Sequence, residues 1–469
     1  MNNPEYDFAV IGAGAAGLIA ADFAVKLGAR VVMLEKDRIG GDCTWTGCVP
    51  SKALLKVAKV AHQVRSAAQY GIITALPQID MPQVREYLRA AIDQIYAGTT
   101  PEALRAKGMD VMLGPVQFLD SHTLQCGDLR IRAQKILIAT GAAPIIPKIA
   151  GLDQVPFSTY LDIFDLDALP RSMILIGGGP IGVELAQAYQ RLGVQITIFA
   201  ERLLPKEEPE ASATIERVLQ REGVQLIQAR PQLVELIEGR INVQADAGTA
   251  QGDLLFVATG RAPKLTGLNL EGAGIRYSAA GLSVNDKLQT SASYVYGAGD
   301  VLGGEQFSHL AGWQGFQAAR NALLPGSNSG FSTVVPHVTF TDPEVAQVGL
   351  LESEASTRYS GKVLAGTWPL SRIDRAVCDN DRDGFIKFVA RENGTLLGAT
   401  IVGESAGETI IELVYALQKG MNISEVASPI HPYPTYTSGV QMLATEMAMG
   451  RAMAGISGTL MRAASKVWR

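Results

Sequence analysis

The chain has 469 residues, of which 47% are hydrophobic and 19% charged, and its formal net charge is -5. Because a single hydrophobic core stops growing near about 250 to 300 residues, this length predicts roughly two to four domains. The mildly acidic balance, without a Lys/Arg block, argues against a nucleic-acid partner, which needs clustered positive charge. No apolar run is long enough to cross a bilayer, and the first strand leaves no room for a secretory leader, so we expect a cytoplasmic protein.

A strand, a glycine-rich turn and a helix follow one another near the start of the chain. The apolar residues 7–11 predict a buried strand, an alanine-rich helical stretch runs to about Leu27, and the turn between them contains Gly12, Gly14 and Gly17. A second strand, 30–34, ends at Glu35, where a carboxylate can bind the hydroxyls of an adenosine ribose. Because the glycines let a pyrophosphate approach the helix N-terminus, where N–H groups favour an anion, we predict a dinucleotide site.

The same arrangement recurs in the middle of the chain. A strand at 173–176 and a helix over 183–192 flank a turn that contains Gly177, Gly179 and Gly182. At the position of the acid, this second unit has Ala200, followed by Glu201 and Arg202. A carboxylate there favours NADH and an arginine favours the 2′-phosphate of NADPH, so the preferred nicotinamide stays open. The alternative for both units is a tight turn of an α/β sheet that binds no nucleotide.

Two cysteines, Cys43 and Cys48, lie close together near a helical stretch that follows Pro50. A helix N-terminus lowers the pKa of a thiol, which suits a nucleophilic or electron-donating sulfur. A metal site would need two further soft ligands, which the neighbouring sequence lacks, so no metal site is predicted. We therefore predict a redox-active pair, with inert cysteines as the alternative. Cys126 and Cys378 stand alone and are predicted to be small buried residues.

The segment 41–52 is similar to the active-site motif of the pyridine nucleotide-disulfide oxidoreductases, the family of dihydrolipoamide dehydrogenase, glutathione reductase and mercuric reductase. Residues 139–141, 258–261 and 294–300 resemble the family's FAD and domain-junction motifs, and 340–344 resembles the opening of its dimerisation domain. The resemblance implies FAD and NAD(P)H as cofactors. It also implies a homodimer, since the family builds each active site from two subunits.

The resemblance further implies roles for individual residues. Cys43 matches the outer, interchange thiol, and Cys48 matches the inner thiol that faces the flavin. Lys52 and Glu184 match an ion pair beside the flavin ring, and Asp300 matches the residue that holds the ribityl chain. The matching FAD and junction motifs contain Thr140, Gly141 and Gly260.

Two departures from the family are expected to weaken thiol exchange. In disulfide-reducing relatives, a histidine and a glutamate of the partner subunit act as acid and base in a His-Pro-Thr-x-x-Glu setting. When the Pro-Thr step is aligned with 434–435, these positions hold Tyr433 and Ser438, and a tyrosine with a pKa of about 10 is a poor base at neutral pH. His431, two residues from the aligned position, is the alternative base. Asp42, where relatives usually have threonine, is expected to raise the pKa of Cys43 by charge repulsion.

The sequence therefore predicts an NAD(P)H-dependent FAD disulfide reductase that passes electrons through Cys43 and Cys48. Its acceptor stays open among small disulfides, quinones and metal ions. Mercuric reductase is one alternative, because its members also have tyrosine at the histidine position, although they end in a cysteine pair and this sequence ends in Ser-Lys-Val-Trp-Arg. A diaphorase, in which the flavin delivers electrons directly, is a second alternative. A non-catalytic nucleotide-binding scaffold is a third.

The expected fold class is α/β, with two Rossmann-like dinucleotide-binding domains and a carboxyl-terminal α+β dimerisation domain. We predict an FAD-binding domain over 1–146 and an NAD(P)H-binding domain over 147–267. The FAD domain is then expected to continue over 268–334, and an interface domain is expected over 335–469.

The last residues, 458–469, form a predicted basic amphipathic helix. Its apolar side contains Leu460, Met461, Ala464, Val467 and Trp468. Its basic side contains Arg462, Lys466 and Arg469. Such a helix can lie on an anionic membrane surface or on an acidic partner, and the alternative is a terminal helix packed on the dimer.

Overall fold

The computed structural model describes the backbone of residues 5–468 and, apart from 455–457, their side chains. The strands are β1 (Glu5–Ile11), β2 (Val31–Glu35), β3 (Met109–Leu113), β4 (Val116–Phe118), β5 (Thr123–Cys126), β6 (Leu129–Ile138), β7 (Ala142–Pro144), β8 (Ser172–Ile176), β9 (Gln195–Phe199), β10 (Gln225–Ile227), β11 (Leu233–Ile237), β12 (Arg240–Ala245), β13 (Gly248–Gly252), β14 (Leu254–Val257), β15 (Arg261–Pro263), β16 (Tyr277–Ser278), β17 (Gly281–Leu282), β18 (Val295–Gly297), β19 (His337–Thr339), β20 (Glu344–Gly349), β21 (Val363–Pro369), β22 (Phe385–Arg391) and β23 (Leu396–Gly403). The α-helices are α1 (Ala15–Lys26), α2 (Gly41–Trp45), α3 (Cys48–Ser66), α4 (Met81–Tyr96), α5 (Pro101–Ala106), α6 (Pro180–Leu192), α7 (Pro209–Arg221), α8 (Ser308–Leu323), α9 (Glu352–Arg358), α10 (Asp374–Cys378), α11 (Ala406–Gln418), α12 (Ile423–Val426), α13 (Ser438–Met453) and α14 (Gly455–Val467).

The chain divides into two compact units. The first contains the residues up to 177 together with 192–194 and 231–332, and the second contains 178–191, 195–230 and the residues from 333 onwards. Each unit has a buried core of its own. The predicted domain boundaries stay predictions.

The first unit is built on a seven-stranded sheet in the order β3-β2-β1-β6-β5-β4, in which β18 also pairs with β6. β1 pairs in parallel with both β2 and β6, so the strand order reverses at β1. In open α/β sheets, ligands bind at such a switch point, beyond the carboxyl ends of the strands. The turn after β1 begins at Gly12 and the turn after β6 contains 139–141, so both predicted cofactor motifs lie at this edge.

Two helices, α1 and α8, cover this sheet through small side chains. The buried alanines on α1 and α8 are Ala16, Ala20, Ala21, Ala24, Ala311, Ala318 and Ala319. Gly315 of α8 faces the backbone of Ala16 on α1 so closely that an added Cβ would lie against its carbonyl group. The helices therefore approach one another at nearly backbone contact, which holds the start of α1 beside α8.

The remaining strands of the first unit form smaller ladders. β11, β12 and β13 make an antiparallel sheet, β16 pairs with β17, and β8 pairs in parallel with β14. β7 and β15 form an antiparallel pair in which Arg261 is opposite Pro144. Pairing of β7 with β15 brings the Ala-Thr-Gly motif at 258–260 next to the Ala-Thr-Gly motif at 139–141.

The second unit contains the parallel pair β9 and β10 and a five-stranded antiparallel sheet in the order β19-β20-β23-β22-β21. Apolar residues of α11 and α13 pack on this sheet in one continuous core. Every residue of β22 before Arg391 is buried, because both of its faces are covered.

A buried lysine joins several elements of the second unit. The ammonium group of Lys387, on β22, lies 3.1 Å from Glu208, 2.8 Å from Glu210 and 2.7 Å from Glu352. Its side chain is only 3% exposed. These hydrogen-bonded carboxylates raise the pKa of Lys387 against the opposing effect of its burial. The charge pairing makes burial of this lysine tolerable and fixes α7 and α9 to the sheet.

The predicted terminal amphipathic helix is present as α14. Its apolar side chains are largely solvent-exposed, from 49% for Met461 to 91% for Trp468. Arg469, which the sequence assigns to the basic side, lies outside the described residues. No helix in the described part of the chain has the length and apolar character needed to cross a membrane.

The contact between α1 and α8 can be tested with two glycines of α8. We expect Gly315→Ala to lower the free energy of unfolding by ~1–3 kcal/mol, because the new methyl group meets rigid backbone of Ala16. Gly312→Ala is the matched control, because its methyl group would meet only the end of the Ile19 side chain, which can move. Urea unfolding of both variants measures the difference, and equal stability of the two would contradict the proposed close contact.

Candidate redox-active site

The two cysteines lie on successive helices of the first unit. Cys43 is in the one-turn helix α2, and Cys48 is the first residue of α3, which therefore includes Pro50 and begins earlier than the predicted start after Pro50. Gly40 and Gly41 have φ values of 106° and 61°, a left-handed conformation that glycine adopts without strain. The segment also approaches the first glycine turn, because a Cβ on Gly41 would lie 2.9 Å from the Cα of Gly14. The redox segment is thus fixed against the predicted pyrophosphate site.

The two thiols have opposite electrostatic environments. A hydrogen bond with Cys43 lowers the pKa of Cys48 to about 6, and the hydroxyl of Ser308 and the charge of Lys52 add to this effect. The pKa of Cys43 is raised by its hydrogen bond to Cys48 and by burial. In the reduced pair these contacts favour the negative charge on Cys48 over Cys43, and the N-terminus of α3 also favours a thiolate at Cys48.

Ser308 is a site residue that the sequence interpretation missed. Its Oγ lies 3.4 Å from the Sγ of Cys48, and Ser308 is the first residue of α8. The two residues are 260 positions apart, and an isolated serine carries no sequence signal, so only the fold reveals the contact. A hydroxyl at this distance can donate a hydrogen bond to the thiolate.

Trp45 lies between the two cysteines in sequence and holds the redox segment in place through contacts with residues other than the cysteines. Its Nε1 donates a hydrogen bond to the carbonyl of Ile39 at 2.8 Å. Its ring packs against Tyr96, with centroids 4.9 Å apart, and lies under the guanidinium of Arg38. The tryptophan thereby anchors the segment to α4.

The pKa of Cys43 is raised, as expected, and the main causes are its hydrogen bond to Cys48 and its burial. The carboxylate of Asp42 forms an ion pair with Arg261 at 2.8 Å, which offsets its negative charge. A contribution of Asp42 to the pKa of Cys43 stays a prediction. The predicted burial of Cys378 is wrong, because this residue ends α10, whose buried side chain is Ala376, and its thiol is exposed. Cys126 is buried as predicted.

The first glycine turn has the geometry that a dinucleotide needs. Gly12 has a φ of 100°, and a Cβ there would collide with the carbonyl of Ala139 at the switch point. A Cβ on Gly17 would collide with the carbonyl of Gly12. Gly14 caps α1 without any side-chain hydrogen bond, which leaves the first-turn N–H groups for an anion. These features fit the pyrophosphate of FAD.

The predicted ribose carboxylate is held at the end of β2. Oε2 of Glu35 accepts a hydrogen bond from the N–H of Ala13 at 2.7 Å, and its Oε1 accepts one from the N–H of Asp37 at 2.7 Å. The carboxylate is therefore fixed beside the glycine turn. Each oxygen has a second lone pair that can accept a ribose hydroxyl.

The remaining predicted FAD residues lie in turns of the same unit. Thr140 donates a hydrogen bond to the carbonyl of Lys264 at 2.7 Å, and Gly141 and Gly260 have φ values of 73° and 129°. Asp300 follows β18, and its carboxylate lies 2.7 Å from Arg261 with 14% of the side chain exposed. Burial raises the pKa of Asp300, although the charge of Arg261 opposes this effect.

The second glycine turn repeats the geometry of the first. A Cβ on Gly177, which has a φ of 123°, would collide with the carbonyl of Ala258 in the same unit. Gly179 has open space around its Cα, and Gly182 is buried in α6. Glu201 forms an ion pair with Arg230 at 2.7 Å. Arg202 instead donates to the hydroxyl of Ser212 at 3.2 Å and to the carbonyl of Glu207 at 3.3 Å.

The other predicted catalytic residues lie as follows. Lys52 is half-buried in the first turns of α3. Glu184, in α6, is 5% exposed and accepts a hydrogen bond from the N–H of Phe340 at 2.8 Å. Tyr433 is 68% exposed, and its hydroxyl donates a hydrogen bond to Asp374. The ion pair of Lys52 with Glu184 stays a prediction.

Comparison with known proteins shows the family to which the chain belongs. The model of the pyridine nucleotide-disulphide oxidoreductases matches residues 6–323, and the model of their dimerisation domain matches 335–444. The chain belongs to this family. Its match to the dimerisation domain supports a homodimer.

Similar proteins cover almost the whole chain. A mercuric reductase of Lysinibacillus sphaericus is 33% identical over 453 residues, which cover 95% of this chain and 83% of the relative. A dihydrolipoyl dehydrogenase of Bacillus subtilis (strain 168) is 32% identical over 459 residues, which cover 93% of this chain and 96% of the relative. The solved Cu(II) complex of the HOCl-induced flavoprotein disulfide reductase RclA from Escherichia coli has a TM-score of 0.84 and 27% identity, and the match covers 93% of this chain and 99% of that one.

Family membership confirms several predictions from the sequence. The α/β fold class with a carboxyl-terminal dimerisation domain is confirmed. So are the class of enzyme, an NAD(P)H-dependent flavoprotein disulfide oxidoreductase, and its cofactors FAD and NAD(P)H. The roles of individual residues stay predictions.

The contact of Ser308 with Cys48 has a measurable consequence. Because a hydrogen bond to a thiolate favours the charged form, we expect Ser308→Ala to raise the pKa of Cys48 by about one pH unit. The rate at which iodoacetamide alkylates Cys48 in the reduced protein, followed by peptide mass spectrometry against pH, measures this value. Ser51→Ala is the matched control, because Ser51 bonds the carbonyl of Cys48 and not its sulfur. An unchanged profile for Ser308→Ala would contradict the assignment.

Proposed function

We propose that this chain uses NAD(P)H to reduce a soft metal ion, such as Hg²⁺ or Cu²⁺, bound by Cys43 and Cys48. The observation that carries the proposal is that both side chains considered for acid–base catalysis of disulfide exchange have other hydrogen-bond partners. A metal ion needs no such catalyst. The cytoplasm stays the predicted compartment, where a reducing environment keeps such a pair available.

Neither candidate base is arranged to accept a proton from a thiol. The hydroxyl of Tyr433 donates to Asp374, and this hydrogen bond and the nearby negative charge raise the pKa of Tyr433 above its ordinary value. The ring of His431 contacts Glu412 through Nε2 at 2.9 Å and the carbonyl of Pro429 through Nδ1 at 3.1 Å. Only 6% of the His431 side chain is exposed. These contacts support structural roles for both residues.

Exchange of the cysteine pair with a disulfide needs assisted proton transfer, whereas binding of a metal ion to the same pair does not. Attack on a disulfide requires Cys43 to lose its proton, although its pKa is raised, and the departing thiol must gain one. Loss of a positioned acid–base group costs about 10²- to 10⁴-fold in rate. A soft metal ion displaces thiol protons itself as the metal–sulfur bonds form. The site is therefore better suited to a metal ion than to a small disulfide.

The residues of the pair have separate tasks in this proposal. Cys48, whose pKa is lowered, is the first sulfur ligand, and Cys43 is the second after its proton is displaced. Ser308 and Lys52 hold the negative charge at Cys48. FAD, when bound, relays two electrons from the nicotinamide to the cysteine site. One NAD(P)H with one Hg²⁺ gives NAD(P)⁺, elemental mercury and a proton, and with two Cu²⁺ it gives two Cu⁺ and the same proton.

The named relatives support a metal-ion acceptor. Mercuric reductases and a flavoprotein disulfide reductase solved with Cu(II) are among the proteins similar to this chain. A dihydrolipoyl dehydrogenase is similar to the same degree, so similarity alone does not choose between the acceptors. The acid–base contacts described above favour the metal ion.

Turnover measurements on cysteine variants test the proposal. We expect NAD(P)H oxidation to depend on Hg²⁺ or Cu²⁺ and to fall at least about 10²-fold in Cys43→Ser and Cys48→Ser, because each change removes one sulfur ligand. Cys378→Ser is the matched control, because it removes an exposed thiol that belongs to the second unit and not to the redox pair. Faster turnover of glutathione disulfide or lipoamide than of either metal ion would contradict the proposal. Metal-ion turnover that survives in the double Cys43/Cys48 variant would favour a diaphorase.

The nicotinamide preference is expected to depend on the pair formed by Glu201 and Arg230. Both side chains are exposed, 61% and 81%, at the carboxyl ends of the neighbouring strands β9 and β10. The arginine cancels the repulsion between Glu201 and a 2′-phosphate, while the carboxylate is still able to accept ribose hydroxyls. We propose that the chain accepts both NADH and NADPH for this reason.

Binding of nucleotide fragments tests this second proposal. We expect Arg230→Gln to weaken 2′,5′-ADP relative to 5′-AMP by roughly threefold to tenfold, because the unpaired carboxylate repels the extra phosphate. Arg221→Gln, which breaks a solvent-accessible ion pair with Asp383 and leaves Glu201 paired with Arg230, is the control. Isothermal calorimetry measures both affinities, and an unchanged ratio in Arg230→Gln would remove Glu201 and Arg230 from the ribose site.

The partners of the chain follow in part from its family. The dimerisation domain supports a homodimer. Contact of residues 458–469 with a membrane surface or an acidic partner stays a prediction, supported by the exposed apolar side chains of α14.

A further inference from the structure

We propose that Asp42 is a positioning residue that ties the segment carrying Cys43 to Arg261 and thereby favours the disulfide form of the pair. The inference rests on the proposed redox role of Cys43 and Cys48. It concerns a residue at which this chain departs from the threonine usual in its relatives.

The carboxylate of Asp42 has three partners from two other segments. Oδ2 lies 2.8 Å from the guanidinium of Arg261 and accepts a hydrogen bond from the hydroxyl of Tyr160 at 3.1 Å. Oδ1 lies 3.6 Å from the ammonium of Lys264. Only 26% of the Asp42 side chain is exposed. Partly buried ion pairs of this kind are screened much less by salt than surface pairs.

The same guanidinium binds a second carboxylate. Nη1 of Arg261 lies 2.7 Å from Asp300, and its Nε donates to the hydroxyl of Tyr160 at 3.3 Å. Its plane also lies 5.3 Å from the centre of the Tyr160 ring. Two carboxylates, one guanidinium and one ammonium give a neutral cluster, so no member is left as an uncompensated charge. The cluster joins the redox segment to the turn that contains Asp300.

The position of Asp42 relative to Cys43 makes this anchor relevant to the sulfur pair. Asp42 directly precedes Cys43 in the one-turn helix α2, and its carbonyl accepts the hydrogen bond from Thr46 that closes the turn. Fixing its side chain therefore fixes the backbone that carries Cys43. A disulfide requires narrow geometry between its two cysteines.

The anchor affects the two redox forms unequally. In the disulfide form the covalent bond already restricts the segment, so loss of the anchor changes little. In the dithiol form the segment gains freedom when the anchor is lost, and the effective concentration of the Cys43 thiol at Cys48 falls. Removing the anchor should therefore shift the equilibrium towards the dithiol. A threonine at position 42 has no charge to pair with Arg261 and should behave in the same way.

The dithiol–disulfide equilibrium of the purified flavoprotein tests the proposal. The protein is equilibrated in dithiothreitol redox buffers, trapped with iodoacetamide and analysed by peptide mass spectrometry. We expect Asp42→Asn and Asp42→Thr to shift the equilibrium constant towards the dithiol by roughly threefold to tenfold. Asp42→Glu, which keeps the charge, should recover part of the wild-type value. Asp37→Asn is the matched control, because it removes an exposed carboxylate from the same region.

A second pair of variants separates anchoring from a direct effect of charge on the sulfur. If Asp42 acted only as a charge, Asp42→Asn and Arg261→Gln would move the equilibrium in opposite directions. Anchoring requires both to move it towards the dithiol, and the double variant to move it no further. Tyr160→Phe removes only the hydroxyl that contacts both Asp42 and Arg261, and it should give a smaller shift of the equilibrium towards the dithiol. This variant keeps Arg261, so it tests the anchor even if Arg261→Gln binds FAD poorly.

The outcomes distinguish this inference from the proposed function. Equilibrium constants of Asp42→Asn and Asp42→Thr that equal the wild-type or Asp37→Asn value would overturn the positioning role of Asp42 alone. Failure of the wild-type pair to form a disulfide in any of the buffers would instead overturn the redox role of Cys43 and Cys48.

Discussion

Close backbone contact at the end of β1 is the constraint on which the rest of the site depends. Gly12 lies against the carbonyl of Ala139 at the point where the strand order of the sheet reverses. Gly41 approaches Gly14 in turn, which places the redox segment at the same edge. A side chain at Gly12 would push the turn away from Ala139, and one at Gly41 would push the redox segment away from Gly14. Nucleotide site and cysteine pair are thus positioned by one set of contacts.

The carboxylates at this edge are paired with basic side chains, and the two thiols differ through their own contacts. Asp42 and Asp300 share Arg261, and the ammonium of Lys264 lies 3.6 Å from Asp42, so the cluster as a whole carries no net charge. The environment that remains favours a thiolate at Cys48 and a proton on Cys43. In the proposed function such a pair binds a metal ion without assistance, whereas exchange with a disulfide needs another group to move the proton.

Features encoded by neighbouring residues were predictable, and features that join distant segments were not. Each strand–glycine–helix unit is local, so its elements were placed to within about three residues, the largest error being the start of α6 at 180 and not at 183. The partners of Asp42 and Cys48 come from segments more than a hundred residues away, and an isolated Tyr160 or Ser308 carries no pattern. The neutralisation of Asp42 was missed for this reason. Cys378 was misjudged because exposure depends on how α10 packs and not on residue type.

Because α3 starts at Cys48, the redox state of this sulfur is expected to affect the stability of the first turn of the helix. Because Cys48 is the first residue of this 19-residue helix, a bond from its sulfur to Cys43 clamps the helix end to the preceding turn. Reduction releases that clamp, so the first turn of α3 frays more readily when the pair is a dithiol. Amide hydrogen exchange in this turn would then report the redox state of the protein without any optical signal.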